Sequence, residues 1–339
     1  MAFVHYLNVR NGDCSIIQHN SGNVTVIDVS NAKPVNELLE RTEIEFSIME
    51  KGINGNFRQK DYPINPIAYL GRLKISRIFR FVATHPDMDH LDGIKCLFQL
   101  LHPLNFWDTD NHADKLFTES RFKEDDWDFY KSLRDGKPQM DPKRLTLFSN
   151  ARGKFWNVND NGTEGGDGIS VLAPNPVLLR DANDSDDYND CSYVILYQAD
   201  SCKVIFAGDA HDRTWEYILT NHENKVTNID LLIAPHHGRD SDRSFDFLDV
   251  LRPKLSFFGN ALSAHLAYDA WNYRRLPFIT NNQGGSLIVD TRNAALPDYM
   301  FVYATHEPFA DNYAAKHNLK TYRSDALDAY FCNLIPKTQ

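Results

Sequence analysis

The sequence predicts an α+β chain, short buried strands interleaved with amphipathic helices, and three observations predict it. Up to Val29 there are three short apolar runs separated by turn-forming segments. Farther on, four apolar runs each end abruptly in histidine, aspartate or asparagine. Between these runs, apolar residues recur at helical spacing.

Taken in order, Phe3 to Val9, Ser15 to His19 and Val24 to Val29 read as strands. Asn11-Gly12-Asp13 and Asn20-Ser21-Gly22-Asn23 separate them with hairpin-turn composition. Pro34 to Glu50 reads as a helix, with Val35, Leu38, Leu39, Ile44 and Ile48 on one stripe. A loop with Gly52, Gly55 and Pro63 leads to a short helix over Pro66 to Leu73. Arg77 to Thr84 is the next strand, apolar at Ile78, Phe79, Phe81 and Val82, and the helix after it carries Ile94, Leu97, Phe98 and Leu101. In the stretch from Pro103 to Gly168 we expect a strand over Asn105 to Thr109, a helix over Glu124 to Arg134 and a strand over Arg144 to Ser149. Asn157 to Gly168 reads as an Asn, Asp and Gly loop, and the acidic run Asp181 to Asp190 as a solvated one. Further strands follow at Tyr193 to Tyr197, Lys203 to Ala207, Asp230 to Ala234, Lys254 to Gly259, Ser286 to Asp290 and Tyr299 to Tyr303, with a helix around Trp215 to Leu219. Residues Ala314 to Gln339 carry no functional signal.

At 339 residues the chain has room for one large domain or two ordinary ones, and 42% hydrophobic with 24% charged residues is the composition of a soluble protein with a substantial core. No apolar run approaches about 18 residues, so no membrane span is expected. Met1 to Val9 has no basic start and carries His5 and Asn8, which argues against a secretory signal. Five scattered cysteines (Cys14, Cys96, Cys191, Cys202, Cys332) form no Cys-x-x-Cys pair. That argues against a disulfide framework or a thiolate zinc site and points to a reducing cytoplasm. A net charge of -10 argues against a broad surface that neutralises nucleic-acid phosphates. A nuclease stays possible, because bound metal supplies positive charge locally.

The densest chemistry is Thr84-His85-Pro86-Asp87-Met88-Asp89-His90-Leu91-Asp92-Gly93, where two histidines and two carboxylates crowd between positions 85 and 90. Pro86 keeps His85 out of the helical region, so these side chains sit on a strand-to-helix loop. Imidazole and carboxylate together suit zinc, manganese or iron. The alternative is a helix cap, with Asp89 or His90 opening the next helix; a cap has little use for two histidines. Lone histidines elsewhere, such as His5, His19, His102, His112, His222, His306 and His317, read as surface or packing residues.

At these residues the chain resembles the metallo-β-lactamase-fold hydrolases, whose signature is His-x-His-x-Asp-His. Asp87 stands at the second histidine, as in the His-Pro-Asp-x-Asp-His of the ComEC-type competence-protein hydrolase branch. Further matches are Gly12-Asp13 and Asp28 in the N-terminal strands, Gly208-Asp209 at a strand end, and Pro235-His236-His237-Gly238. Asn189-Asp190-Cys191-Ser192 falls where this branch carries Asn-x-x-Ser, and His265 after Asn260 resembles a further branch histidine. Arg239 stands where the branch usually has serine. The glycines expected after Asp28 are replaced by Val29 and Ser30.

The resemblance implies a four-layer αββα sandwich over residues 1–290, with 103–168 a variable helical and loop insertion and 291–339 a C-terminal extension packed on the same domain. It makes His85, Asp87, Asp89, His90, Asp209, His236, His265 and Asn189 candidate ligands for two divalent ions, zinc or manganese. His85 and Asp87 would hold the first ion, Asp89 and His90 the second, and Asp209 would bridge ions about 3.5–4 Å apart. Asp89 and His237 are the catalytic candidates, Asp89 orienting the attacking water. On an extended backbone adjacent histidines point opposite ways, so one of His236 and His237 would ligate while the other faces substrate or supports the ligands from behind; which one is open.

Three functions compete. The first is a phosphodiesterase or nuclease, with nucleic acid or another phosphodiester as substrate. The second is a hydrolase of a lactone, thioester or amide. The third is a non-catalytic partner protein that keeps the fold.

Overall fold

Six strands lead the chain through one sheet: β1 (Phe3–Tyr6), β2 (Ser15–Gln18), β3 (Val24–Ile27), β4 (Arg80–Val82), β5 (Asn105–Trp107) and β6 (Lys143–Leu145). The next six build a second sheet: β7 (Ile169–Ala173), β8 (Val194–Ala199), β9 (Cys202–Phe206), β10 (Leu231–Ile233), β11 (Leu255–Phe258) and β12 (Phe278–Thr280). The last four, β13 (Leu287–Asp290), β14 (Tyr299–Ala304), β15 (Arg323–Ser324) and β16 (Ala329–Pro336), return to the first sheet on the far side of β1. The computed structural model describes residues 2–36, 56–117, 120–136, 141–261 and 263–338. Apart from Pro34 to Asn36, which are not helical, the helix expected over Pro34 to Glu50 lies outside the described residues.

Alternation along the strands explains the layers. In β9, Val204 and Phe206 face the space between the sheets while Ile205 faces outward; in β10, Leu231 and Ile233 face in and Leu232 out. The inner faces meet in one core that includes Val4, Tyr6, Val82, Trp107, Ile195, Phe206, Phe257 and Val289. On the outer face of the first sheet, Phe81 and Phe106 pack under helices carrying Leu70, Ile94, Leu97 and Trp127. On the outer face of the second sheet, Ile205 and Leu232 pack under Trp215, Ile218, Phe247 and Trp271. Helices, sheet, sheet and helices are thus stacked as an αββα sandwich. No helix among the described residues is long and apolar enough to cross a membrane.

Several segments differ from expectation. Part of the acidic run is helical: a helix spans Pro176–Ser185, opened by Asn175, whose side chain accepts from the N–H of Val177 and Leu178, and anchored by buried Leu178, Leu179 and Ala182. Within residues 103–168 the two expected strands are present as β5 and β6, and they join the first sheet as its continuation beside β4. After residue 290 the expected strand over Tyr299 to Tyr303 is present as β14, while β15 and β16 were not expected, and β16 lies between β14 and β15.

Strand direction fixes where chemistry can gather. β3, β4 and β5 run parallel in one sheet, and β9, β10, β11 and β12 in the other. The carboxyl ends of β3, β4, β9 and β10 deliver the segments beginning at Asp28, Ala83, Ala207 and Ala234 to one edge of the sandwich, the usual place for a ligand in parallel sheets.

Candidate metal centre

Parallel pairing of β3 with β4 sets Asp28 beside Thr84. Thr84 donates to Asp28 twice, from its N–H at 2.8 Å and its hydroxyl at 2.7 Å. The chain then turns through Met88–His90, and Val29 N–H donates to the His90 carbonyl at 3.0 Å. The loop between β1 and β2 presses against this turn: a Cβ on Gly12 would sit 2.0 Å from the Asp89 carbonyl oxygen, so only glycine fits. The helix that follows starts after Gly93, and Asp126 accepts the N–H groups of Gly93 and Lys95. Asp89 and His90 are therefore free of any capping duty.

In the second sheet, Gly208 turns with φ 51°, and its position leaves a Cβ only 3.0 Å from Thr84 and 3.1 Å from Ser192. This close approach brings Asp209 to the motif loop, where its N–H donates to Ser192 Oγ at 3.3 Å. The extended backbone expected at His236 and His237 is not found. Both are left-handed, with φ 51° and 58°, and Gly238 continues the bend at φ 84°. Consecutive non-glycine residues in this region cost about 1–3 kcal/mol each. The turn swings the His237 ring wholly inside while His236 stays at the mouth.

The fully buried rings of His85, His90 and His237 converge with Asp209. His90 Nε2 lies 3.3 Å from Asp209 Oδ1, His85 Nε2 3.8 Å from Asp209 Oδ2, and His237 Nε2 4.0 Å from the same oxygen. Asp89 Oδ2 is 3.5 Å from His237 Nε2, and Asp87 Oδ2 is 3.6 Å from His85 Nε2. Donor atoms of His85, His90 and Asp209, and of Asp89, His90 and His237, lie within 4.8 Å of one another.

Hydrogen bonds on the far side of each ring decide which nitrogen is left for a cation. His237 Nδ1 donates to Asp13 Oδ1 at 2.8 Å, and the same oxygen accepts from Tyr6 at 2.6 Å. His90 Nδ1 donates to Asp28 at 2.8 Å. The Thr84 hydroxyl gives its proton to Asp28, so it accepts from His85 Nδ1 at 3.0 Å. The far-side bonds keep Nδ1 protonated in all three rings, so that in the neutral ring it is Nε2 that offers a lone pair to the centre. Those three Nε2 atoms and Asp209 Oδ1 are buried without a hydrogen-bond partner. An unpaired buried polar atom costs about 1–3 kcal/mol, and a divalent cation fits this donor set of imidazole and carboxylate.

The electrostatics agree. Burial opposes charge on His90 and His237, but Asp209 with Asp28, and Asp13 with Asp209, outweigh it and hold His90 well above the ordinary range and His237 at about 10. Burial would raise the Asp89 carboxyl, yet His237 and His90 bring it down to about 2. The cluster carries concentrated negative charge that protons balance when no metal does.

Asp87 departs from the other ligand candidates. Its Oδ1 is held by the Lys115 ammonium at 2.6 Å, leaving Oδ2 toward His85. His85 and Lys115 overcome the effect of burial and hold this carboxyl far below its usual range. Asn189 sits in the turn before β8, its Oδ1 buried without a hydrogen-bond partner, as the ring Nε2 atoms are. His265 is exposed and outside the close donor sets. His236 lies 3.6 Å from Asp209 through Nε2, with Arg243 on its other nitrogen. Sequence reading gave Asp13 and Asp28 only a matching position and missed Lys115 and Arg243. Gly12-Asp13 was the available signal for Asp13; a lone lysine or arginine in a loop carries none.

No protein-family model and no curated protein matches the sequence. Among solved structures, the chain is similar to Igni18, a metallo hydrolase from the hyperthermophilic archaeon Ignicoccus hospitalis, at 12% identity over 85% of this chain and 99% of that one, with a TM-score of 0.48. It is similar to a metal-dependent hydrolase of the beta-lactamase superfamily at 12% identity over 83% and 96% of the two chains, TM-score 0.40. A diphosphatase from the PhnP family aligns at 14% identity over 81% and 83%, TM-score 0.35.

Proposed function

We propose that this protein is a metal-dependent hydrolase of phosphodiesters, with nucleic acid as the leading substrate class. One observation carries the reading: three imidazole Nε2 atoms and a carboxylate oxygen are buried together without hydrogen-bond partners. His85, Asp87 and Asp209 would hold one divalent ion, and Asp89, His90, His237 and Asp209 a second. Such ions, zinc or manganese, supply positive charge to a phosphoryl oxygen and lower the pKa of a water molecule.

The chain's own residues do the rest. Asp13, Asp28 and Thr84 lock the three rings so that no reorientation is needed. Asp89 orients the attacking water. Asp87 puts a hard oxygen where the resembled superfamily has imidazole, which favours manganese relative to an all-histidine site. Lys115 offsets the charge that Asp87 adds.

Purified protein stripped of metal and reloaded with zinc or manganese is assayed on bis(p-nitrophenyl) phosphate, DNA, RNA and a lactone panel. Metal-dependent cleavage of the phosphodiesters, lost in Asp89→Ala and Asp209→Ala, is the expected result. Lactone cleavage alone would transfer the assignment to carboxyl chemistry. No turnover on any substrate, with no bound metal, would leave only the partner-protein reading.

A further inference from the structure

Four histidines surround Asp209, but one is wired the opposite way. Arg243 is buried at 7% exposure, and its Nη1 donates to the carbonyl of Ala210, the residue after Asp209, at 2.8 Å. Its Nη2 lies 2.7 Å from His236 Nδ1. A guanidinium has no acceptor and does not deprotonate in proteins. His236 Nδ1 is therefore the acceptor, and the single proton of the neutral ring sits on Nε2. Ser241 Oγ, 3.2 Å from the same nitrogen, can donate to it as well.

The consequences separate His236 from its three neighbours. Ligation through Nε2 would require removing the only ring proton while a guanidinium still donates to the other nitrogen. The ring is also the open one of the four, with 18% of its side chain exposed against 0% for His85, His90 and His237. Its Nε2 is 3.6 Å from Asp209 Oδ2, beyond hydrogen-bond length. The His211 ring lies nearly parallel at 5.9 Å and His237 lies edge-on at 5.7 Å, so the orientation is fixed from both sides.

We propose that His236 is a hydrogen-bond donor to a substrate oxygen rather than a metal ligand, and that Arg243 is the positioning residue that sets its tautomer. The donor sits 3.6 Å from Asp209 Oδ2, beside the carboxylate that would be shared by the ions and on the one partly exposed ring of the four, where a scissile phosphodiester would present a non-bridging oxygen; this last step rests on the phosphodiesterase reading above. A donor placed there in advance strengthens binding of an anionic oxygen at no cost of reorientation.

The test uses the whole 339-residue chain. Long-range ¹⁵N–¹H correlation of the imidazoles, with and without zinc, should show His236 protonated at Nε2 in both states. In the zinc-loaded state His85, His90 and His237 should carry a proton on Nδ1 alone, with Nε2 resonances that move on zinc addition. Metal content should match wild type in His236→Ala and fall in His237→Ala. Inorganic phosphate should bind the zinc-loaded His236→Ala variant about 10- to 100-fold more weakly, the range for a hydrogen bond to a charged group. His236→Gln, which keeps an N–H at similar reach, should recover part of the affinity, and Arg243→Met should reproduce the loss at wild-type metal content. Metal loss in His236→Ala, a zinc-induced shift at His236 Nε2, or unchanged phosphate affinity would each overturn the proposal. If wild type binds zinc and phosphate as described but cleaves no phosphodiester, the function proposed above fails while this assignment stands.

Discussion

Two buried polar clusters in this protein are equally hidden from water and built to opposite plans. In the first, Arg80 and Asp167, with side chains 1% and 2% exposed, face each other at 3.3 Å. Asp167 also accepts from Ser21 at 2.7 Å and from Asn23 at 3.0 Å, and Arg80 donates to Thr25 and to the Phe155 carbonyl. His19 closes the group, Nδ1 on the Asp167 carbonyl and Nε2 on Thr25. Only Arg80 Nε stays unpaired, beneath a guanidinium stacked 4.7 Å over Trp107. In the second cluster, His85, His90 and His237 are satisfied on one nitrogen and left bare on the other. The first cluster is closed by protein partners at all but one of the polar side-chain atoms of Arg80, Asp167 and His19, whereas every ring of the second keeps one nitrogen open toward a common centre.

Perturbing each cluster sharpens the contrast. The largest effect is expected for Asp209→Ala, which removes the carboxylate shared by all the close rings: bound metal, read by elemental analysis, and phosphodiester turnover should both drop to background. Asp167→Ala leaves the Arg80 guanidinium buried without its counter-charge, so urea unfolding should show a loss of about 3–5 kcal/mol. The folded variant should keep its full metal content; loss of metal there would erase the distinction between the clusters.

Asp13→Ala and Asp28→Ala act behind the ligands and should weaken metal binding about 10- to 100-fold in a competition titration. The smallest effect concerns pH. Burial, against the pull of Asp167, lowers His19 to about 4, and burial does the same to His5, against the hydrogen bond its Nε2 can donate to the Gln18 side-chain oxygen. Below about 6.5 the unfolded chain binds protons that these folded rings refuse. Stability of the metal-free protein should therefore fall as pH drops from about 6.5 to 4, by up to about 3 kcal/mol for each ring. His19→Gln should show a shallower slope in unfolding titrations; an unchanged slope would mean that His19 is charged in the fold.

Much of this was legible before any coordinates. The strand from Arg77 to Thr84 ends in ligands because apolar alternation gives way to polar loop residues, and the same holds at Asp209 and at His236-His237. The helix Glu124–Arg134 was readable from its own stripe. The acidic run before Asn189 was not, because only Ala182 of the three apolar anchors of the helix Pro176–Ser185 falls inside it and the other two precede it. Nor was β16, whose pairing partners lie in β14 and β15 and leave no mark on its own composition. The left-handed turn at His236 and His237 contradicts the local preference of both residues and exists only because neighbouring segments hold it.

The sequence by itself determined which residue types meet, because strand-end motifs travel with the strands that bury them. It also determined that His85, His90 and Asp209 reach the same edge, since parallel strands share a direction. Only the tertiary structure decided what each imidazole can do. Asp13, brought from the first hairpin, accepts the Nδ1–H of His237 and leaves its Nε2 for a cation, while Arg243 donates to Nδ1 of His236 and confines the proton of that neutral ring to Nε2. The two side chains are chemically identical and adjacent in the chain. Their tautomers differ because a tautomer is set by whichever group stands across the hydrogen bond, and that group is chosen by folding.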